Sequence, residues 1–275
     1  MSTPLRVGAV SYLNAKPLYY RLDEFAPEVV LEMDVPSRLS DKLVAGALDL
    51  ALIPSVEYLR GASRGYEILP GFAIAARGAV RSVKLFSRVP FRRIERLALD
   101  AGSRTSQALT RVWLDAAHGV RPKSIELLPM GVPIEESTAD AVLLIGDRAM
   151  TVKPALFFAV VDLAEAWNQL TGLPFVFALW VARPGVDLGD LPDALERCRA
   201  EGLRHADSIA RQHGPRLGLD RATCYDYLTN VLSYDLGGQE IEALARFSQM
   251  TARLGLSPEG VDLVFHRRRD LAARR

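Results

Sequence analysis

Cysteine and histidine are scarce. The 275 residues hold two cysteines, Cys198 and Cys224, and four histidines, His118, His205, His213 and His266. The cysteines have no CxxC partner and the histidines form no HxH or HxxxH pair, so the ligand spacing of a metal site is missing. Both thiols are expected to be buried and free. Charge of one sign is lacking too. The formal net charge is +1, which argues against a general nucleic-acid or polyanion binder. The cations are mostly Arg, with only five Lys. Long apolar runs are also absent. The longest, LPFVFALWVA at 173–182, is about half of the ~20 residues that cross a bilayer. The opening MSTPLRVGAV carries no signal-peptide pattern, so a cytoplasmic location without membrane association is expected. No GxGxxG follows a strand and no GxxxxGKS or GxxxxGKT occurs, so dinucleotide and NTP binding lack their phosphate loops.

What is present is an alternation of strand-like and helix-like stretches. RVGAV (6–10) reads as a buried strand, 15–22 as a helix with Pro17 in its first turn, 29–35 as a strand, 36–47 as a helix, 48–54 as a buried strand and 55–61 as a short helix. This order implies right-handed crossovers and a parallel sheet, with functional groups gathered at the C-terminal ends of the strands. Segments 72–77 and 80–88 look like two strands across a tight Gly-Ala turn. A second block repeats the architecture: strands at 96–100, 124–130 and 139–146, a capped helix at 103–119 and a short helix at 147–153. The apolar run 173–183 leads into a helical region at 190–213, 220–229 and 238–255. The basic end, HRRRDLAARR (266–275), reads as a solvated tail. Two α/β blocks without a flexible linker suggest two lobes joined by crossing strands. The expected fold is α/β, two-lobed and like the type II periplasmic-binding proteins, with a cleft between the lobes and a helical C-terminal region. Lobe I is expected over 1–88 and 180–275 and lobe II over 89–179, with the crossing strands near 82–90 and 172–182.

Four strand-to-helix junctions are dense in polar groups. In SYLN (11–14), Ser11 and Asn14 can cap the next helix or face a ligand at its free N–H groups, while Tyr12 and Lys16 exceed what a cap requires. Ser55 in IPS (53–55) has the type of an N-cap. SRTS (103–106) offers Ser103 as a cap, Thr105 and Ser106 in the first turn, and Arg104 where the helix dipole disfavours a cation. Arg104 therefore has either an anionic partner or a path to solvent. Asp147 in IGD (145–147) can cap or work. Ser82 stands in a candidate crossing strand where a β-branched residue is commoner, and either faces the cleft or points outward. Such a cleft is rich in hydroxyls, amides and helix N-termini, poor in acids and without a histidine. It suits a small molecule with one or two carboxylates and offers no Ser–His–Asp triad.

Several segments together resemble the chorismate dehydratase family: VGAVSYLNAKPL, DLALIPSVEYL, GAVRSVKLFSR, LALDAGSRTSQAL, LLIGDRAM, LTGLPFVFALWVAR and RFSQMTARLGLSP, in order over roughly residues 5–257. The resemblance implies a carbon–oxygen lyase of the futalosine route to menaquinone. Its reaction converts chorismate, a dicarboxylate, into 3-(1-carboxyvinyloxy)benzoate plus water, without a cofactor. Carried over motif by motif, it implies Asn14 and Ser82 as catalytic groups. It implies Ser11, Tyr12, Ser55, Ser103, Arg104, Thr105, Ser106 and Asp147 as substrate-binding ones. The sister family, the 1,4-dihydroxy-6-naphthoate synthases, usually opens with an SPCPNDTF-like segment and relies on a histidine in its second lobe. SYLNAKPL stands here instead, and none of the four histidines falls in a comparable strand-end motif. That synthase and a non-catalytic small-carboxylate binding protein are the alternative readings. Arg77 departs from the family pattern, which commonly has an acidic or polar residue before the glycine.

Overall fold

The computed structural model describes residues 4–267. The first part of the chain builds β1 (Arg6–Val10), a 3-10 segment (Leu13–Tyr19), α1 (Leu22–Phe25), β2 (Val30–Asp34), α2 (Pro36–Val44), β3 (Leu50–Pro54), α3 (Ser55–Arg60) and β4 (Glu67–Ala76). The middle part builds β5 (Val83–Ser87), β6 (Arg96–Asp100), α4 (Arg104–His118), β7 (Ser124–Leu128), β8 (Ala141–Ile145), α5 (Asp147–Thr151), β9 (Ala159–Asp162) and α6 (Leu163–Thr171). The last part begins with β10 (Phe175–Ala182). It continues through α7 (Leu191–Arg204), α8 (Ala206–His213), α9 (Arg221–Asp226), a π turn (Tyr227–Val231), β11 (Leu232–Ser233) and α10 (Gly238–Arg253).

The strands form two sheets, ordered β11-β4-β10-β3-β1-β2 and β7-β6-β8-β5-β9. In the first, β1 pairs parallel with β2 and β3, and β10 runs antiparallel between β3 and β4. In the second, β6 pairs parallel with β7 and β8, and β5 runs antiparallel between β8 and β9. The two sheets therefore share one plan, without a sequence repeat to announce it. The central strands LALIP and AVLLI are buried along their whole length, as parallel strands covered on both faces must be. The edge strands β2 and β7 are mostly exposed.

Segments 72–77 and 80–88 do not form the expected hairpin. β4 belongs to the first sheet and β5 to the second, so residues 77–82 carry the chain from one sheet to the other. Gly78 (φ 84°) and Arg81 (φ 65°) turn the backbone there. The Asp162 carboxylate then fixes the passage by accepting from the Val80 amide at 3.0 Å and the Arg81 amide at 2.6 Å. The return passage is 172–174, held to α6 by Trp167 Nε1 donating to Pro174 O at 3.0 Å and Asn168 Nδ2 to Leu173 O at 3.1 Å. Phe247 of α10 packs its ring edge-on to Trp167 and Phe175, so the C-terminal helix touches both sides of that passage.

Other differences have local causes. The expected helix at 15–22 is a 3-10 segment containing Pro17, whose missing N–H breaks the α-helical ladder. Helix 190–213 divides at His205, and 220–229 passes into the π turn after Asp226. β9 and α6 lie in a stretch the sequence left unassigned. Cys198 and Cys224 are buried and free, as expected. Residues 268–275, most of the basic tail, lie outside the described residues.

Asp49, just before β3, ties the start of the first sheet to the end of β10. It accepts from the Arg6 amide at 2.9 Å and pairs with the guanidiniums of Arg6 at 3.0 Å and Arg183 at 2.6 Å. Burial alone would raise its carboxyl, but the two arginines and the Arg6 amide outweigh it and hold it at about 2. A depressed carboxyl stabilises the fold above its unfolded pKa, and that stability is lost as pH falls from about 4 through about 2. Asp49→Asn is expected to cost about 2 kcal/mol at neutral pH. Thermal unfolding at a series of pH values checks this, with the gap from wild type closing below pH ~4.

Candidate active site

The C-terminal ends of β1, β3 and β8 meet the passage 77–82 and the start of α4 around one cleft of about 560 Å³, its open mouth included. Its polar lining is Tyr12, Asn14, Ser82, Ser103 and Ser106, and its apolar wall includes Ile74, Ile145, Phe177 and Leu232. None of the lining residues is acidic and none is a histidine.

On the second-sheet side, Ser103 is the N-cap of α4. Its Oγ accepts from the Ser106 amide at 3.3 Å and lies 2.9 Å from Ser106 Oγ. The helix thus opens on two hydroxyls and its positive end, a natural receiver for an anion. Asp147 begins α5 directly after the lining residue Gly146. Burial raises its carboxyl above the usual range.

On the first-sheet side, the segment after β1 does not cap as expected. The N-cap position is Tyr12, with no side-chain bond. Ser11 is exposed, outside the lining, and its amide donates to Asp34 O at 3.1 Å. Asn14 is half-buried, and its Oδ1 is closed to solvent without a partner. Tyr12 reaches across to the second sheet, where its Oη sits 3.8 Å from Met130 Sδ. Gly102 leaves room for it: a Cβ there would lie 3.0 Å from Tyr12 Oη and 3.1 Å from Asp100 Oδ1. Lys16 places its Nζ 5.6 Å from the Tyr19 ring centre and lies outside the lining, and Arg77 is exposed.

Three of the candidate residues join the two halves and do not line the cleft. Ser55 is fully buried, donates to Val176 O of its own sheet at 2.8 Å and lies 3.4 Å from Thr105 Oγ1 of the other half. Thr105, also buried, accepts from the Val56 amide at 3.2 Å. Arg104 does have anionic partners, but they are the chain's own: Asp41 at 2.8 and 3.0 Å, and Glu57 at 3.1 Å.

Three neighbours escape the sequence. The Tyr227 hydroxyl lies 2.8 Å from Ser82 Oγ, from a position 145 residues away, and no local pattern marks it. Asp100 is buried, accepts from the Gly102 amide at 2.8 Å and pairs with Arg148 at 3.2 Å. Burial raises its carboxyl, against the pull of that amide and Arg148. Arg148 was legible in principle. It stands in the first turn of a helix, the same anomaly that singled out Arg104.

The fold recurs in known proteins. The fold is periplasmic-binding-protein-like: a protein of Archaeoglobus fulgidus matches at TM-score 0.70 and 17% identity, covering 93% of this chain and 99% of that one. The periplasmic aliphatic sulphonate binding protein SsuA of Escherichia coli matches at TM-score 0.63 and 13% identity, covering 98% and 96%. In sequence, the chorismate dehydratase of Thermus thermophilus is 34% identical over 252 residues, 82% of this chain and 88% of the relative. Residues 5–253 match the family described as menaquinone biosynthesis, and this chain belongs to it.

Proposed function

We propose that this protein is a chorismate dehydratase, converting chorismate to 3-(1-carboxyvinyloxy)benzoate and water without a cofactor. The observation that carries the reading is the cleft itself. It sets hydroxyls, an amide and a helix N-terminus against an apolar wall, with neither an acid nor a histidine in its lining. Such a lining accepts an anionic ring. No histidine lines it, which speaks against the naphthoate synthase reading.

The chemistry needs little more. The C3 hydrogen of chorismate is vinylogously acidic, because the ring carboxylate accepts the developing charge through C1=C2. Loss of that proton and of the C4 hydroxyl, together one water, makes the ring aromatic. In the proposed arrangement Ser103, Ser106 and the start of α4 hold the ring carboxylate where charge develops. Asn14 and Ser82 hold the side-chain carboxylate, which lies near C3 and takes the proton. Tyr12 closes the cleft from the first sheet toward Met130, and Asp147 borders it at Gly146. The two sheets with their helices act as the two lobes. Their contacts Arg104–Asp41, Arg104–Glu57 and Thr105–Val56 join the two lobes beside the cleft.

Incubation with chorismate tests this. Loss of the diene absorbance should be matched by a product 18 mass units lighter, the loss of one water, in mass spectrometry. Folded protein that leaves chorismate unchanged would overturn the assignment.

A further inference from the structure

Ser82 does not stand alone. It is 3% exposed and Tyr227, whose hydroxyl it meets at 2.8 Å, is 2% exposed. Tyr227 opens the π turn after α9, and such turns shift a side chain out of helical register, often at functional sites. Ser82 Oγ is the one hydrogen-bond partner of the Tyr227 hydroxyl among the described residues, and either oxygen can be the donor. Asn14 lines the same cleft as Ser82, with its Oδ1 buried and unpartnered. Where Tyr227 is the donor, its single proton goes to Ser82 Oγ. Ser82 is then left with its own proton free for the cleft it lines.

We propose that Tyr227 is a positioning residue of this site: its buried hydroxyl donates to Ser82 Oγ, so that Ser82, beside Asn14 in the lining, presents its own O–H to a substrate carboxylate. Without it the serine hydroxyl is free to turn and to accept where it should donate. This inference rests on the dehydratase reading.

Tyr227→Phe removes one oxygen and tests it. kcat for chorismate is expected to fall about tenfold with KM within about twofold, the pattern of a group that matters more in the transition state than in binding. In a Ser82→Ala background the same replacement is expected to change kcat less than twofold, because Tyr227 acts through Ser82. An equal loss in both backgrounds overturns the proposal, since a merely structural tyrosine behaves that way. An unchanged kcat in the single variant overturns it too. Should Tyr227→Phe not fold, 3-fluorotyrosine placed at 227 keeps the shape and alters the proton's acidity. A shift in kcat at unchanged Tm supports the proposal, and an unmoved kcat ends it. Wild-type protein inert toward chorismate overturns the function and this inference together, whereas active wild type with unmoved variants overturns the inference alone.

Discussion

On the dehydratase reading, Asn14→Ala is expected to lower kcat/KM for chorismate by about 10²–10³ while the protein stays folded. The magnitude is that of removing one preorganised donor from a catalytic site. Two features make the loss specific to function. First, Asn14 makes no capping bond to the 3-10 segment it sits in, so that segment does not depend on its amide. The hydrophobic neighbours Leu13, Ala15, Pro17 and Leu18 are buried and remain. Second, Asn14 Oδ1 is buried without a partner in the free protein. An unsatisfied buried acceptor costs about 1–3 kcal/mol, so truncation removes a liability of the unliganded fold. Melting temperature should be little changed or slightly raised, while turnover collapses. Steady-state kinetics beside thermal unfolding separates the two. Near-normal kcat/KM in this variant would place the proton-transfer geometry elsewhere in the cleft.

The sequence carried the sheets well and the side-chain partnerships poorly, for one physical reason. Strands such as RVGAV, LALIP and AVLLI are encoded locally, by runs of apolar residues bounded by polar ends. Partners are encoded by topology. Residues 77–82 read as a hairpin turn because glycine allows one, yet Asp162, some 80 residues on, anchors them as a passage between sheets. Arg104 stands where the helix dipole disfavours a cation, and its carboxylates come from α2 and α3. Ser82, Ser103 and Ser106 reach the cleft because they sit at chain passages and a helix start, positions a sequence can show. Tyr227 reaches Ser82 behind the lining, from the π turn after α9, which a sequence cannot show.

Gly202→Ala should be among the most damaging single-methyl changes in the protein. Glycine inside a helix ordinarily costs about 1 kcal/mol relative to alanine, so this replacement would stabilise an open position. Gly202 is buried within α7, and a Cβ there would lie 2.5 Å from Pro17 Cα, 2.6 Å from Pro17 O and 2.9 Å from Pro17 C. Those are backbone atoms of the 3-10 segment, and no rotamer change relieves them. Nor can the segment swing away freely. Tyr20 stacks on His205 at 5.3 Å, and Arg197 lies 4.4 Å over the Phe25 ring, so the C-terminal half of α7 and His205 after it hold the chain that follows Pro17. Overpacking of this kind costs about 3 kcal/mol, which in a chain of this size lowers Tm by about 6–12 °C. Asn14 is three residues before Pro17 in the same segment, so the displacement carries into the cleft. A misplacement of about 1 Å is enough for a 10²-fold loss of rate, and kcat/KM should fall in protein that is still folded. Gly238→Ala is the control. Gly238 begins α10 with nothing within 4 Å of a Cβ, and that variant should match or slightly exceed the wild-type Tm with unchanged turnover. If Gly202→Ala behaved like Gly238→Ala, the close approach of α7 to Pro17 would not be what places Asn14.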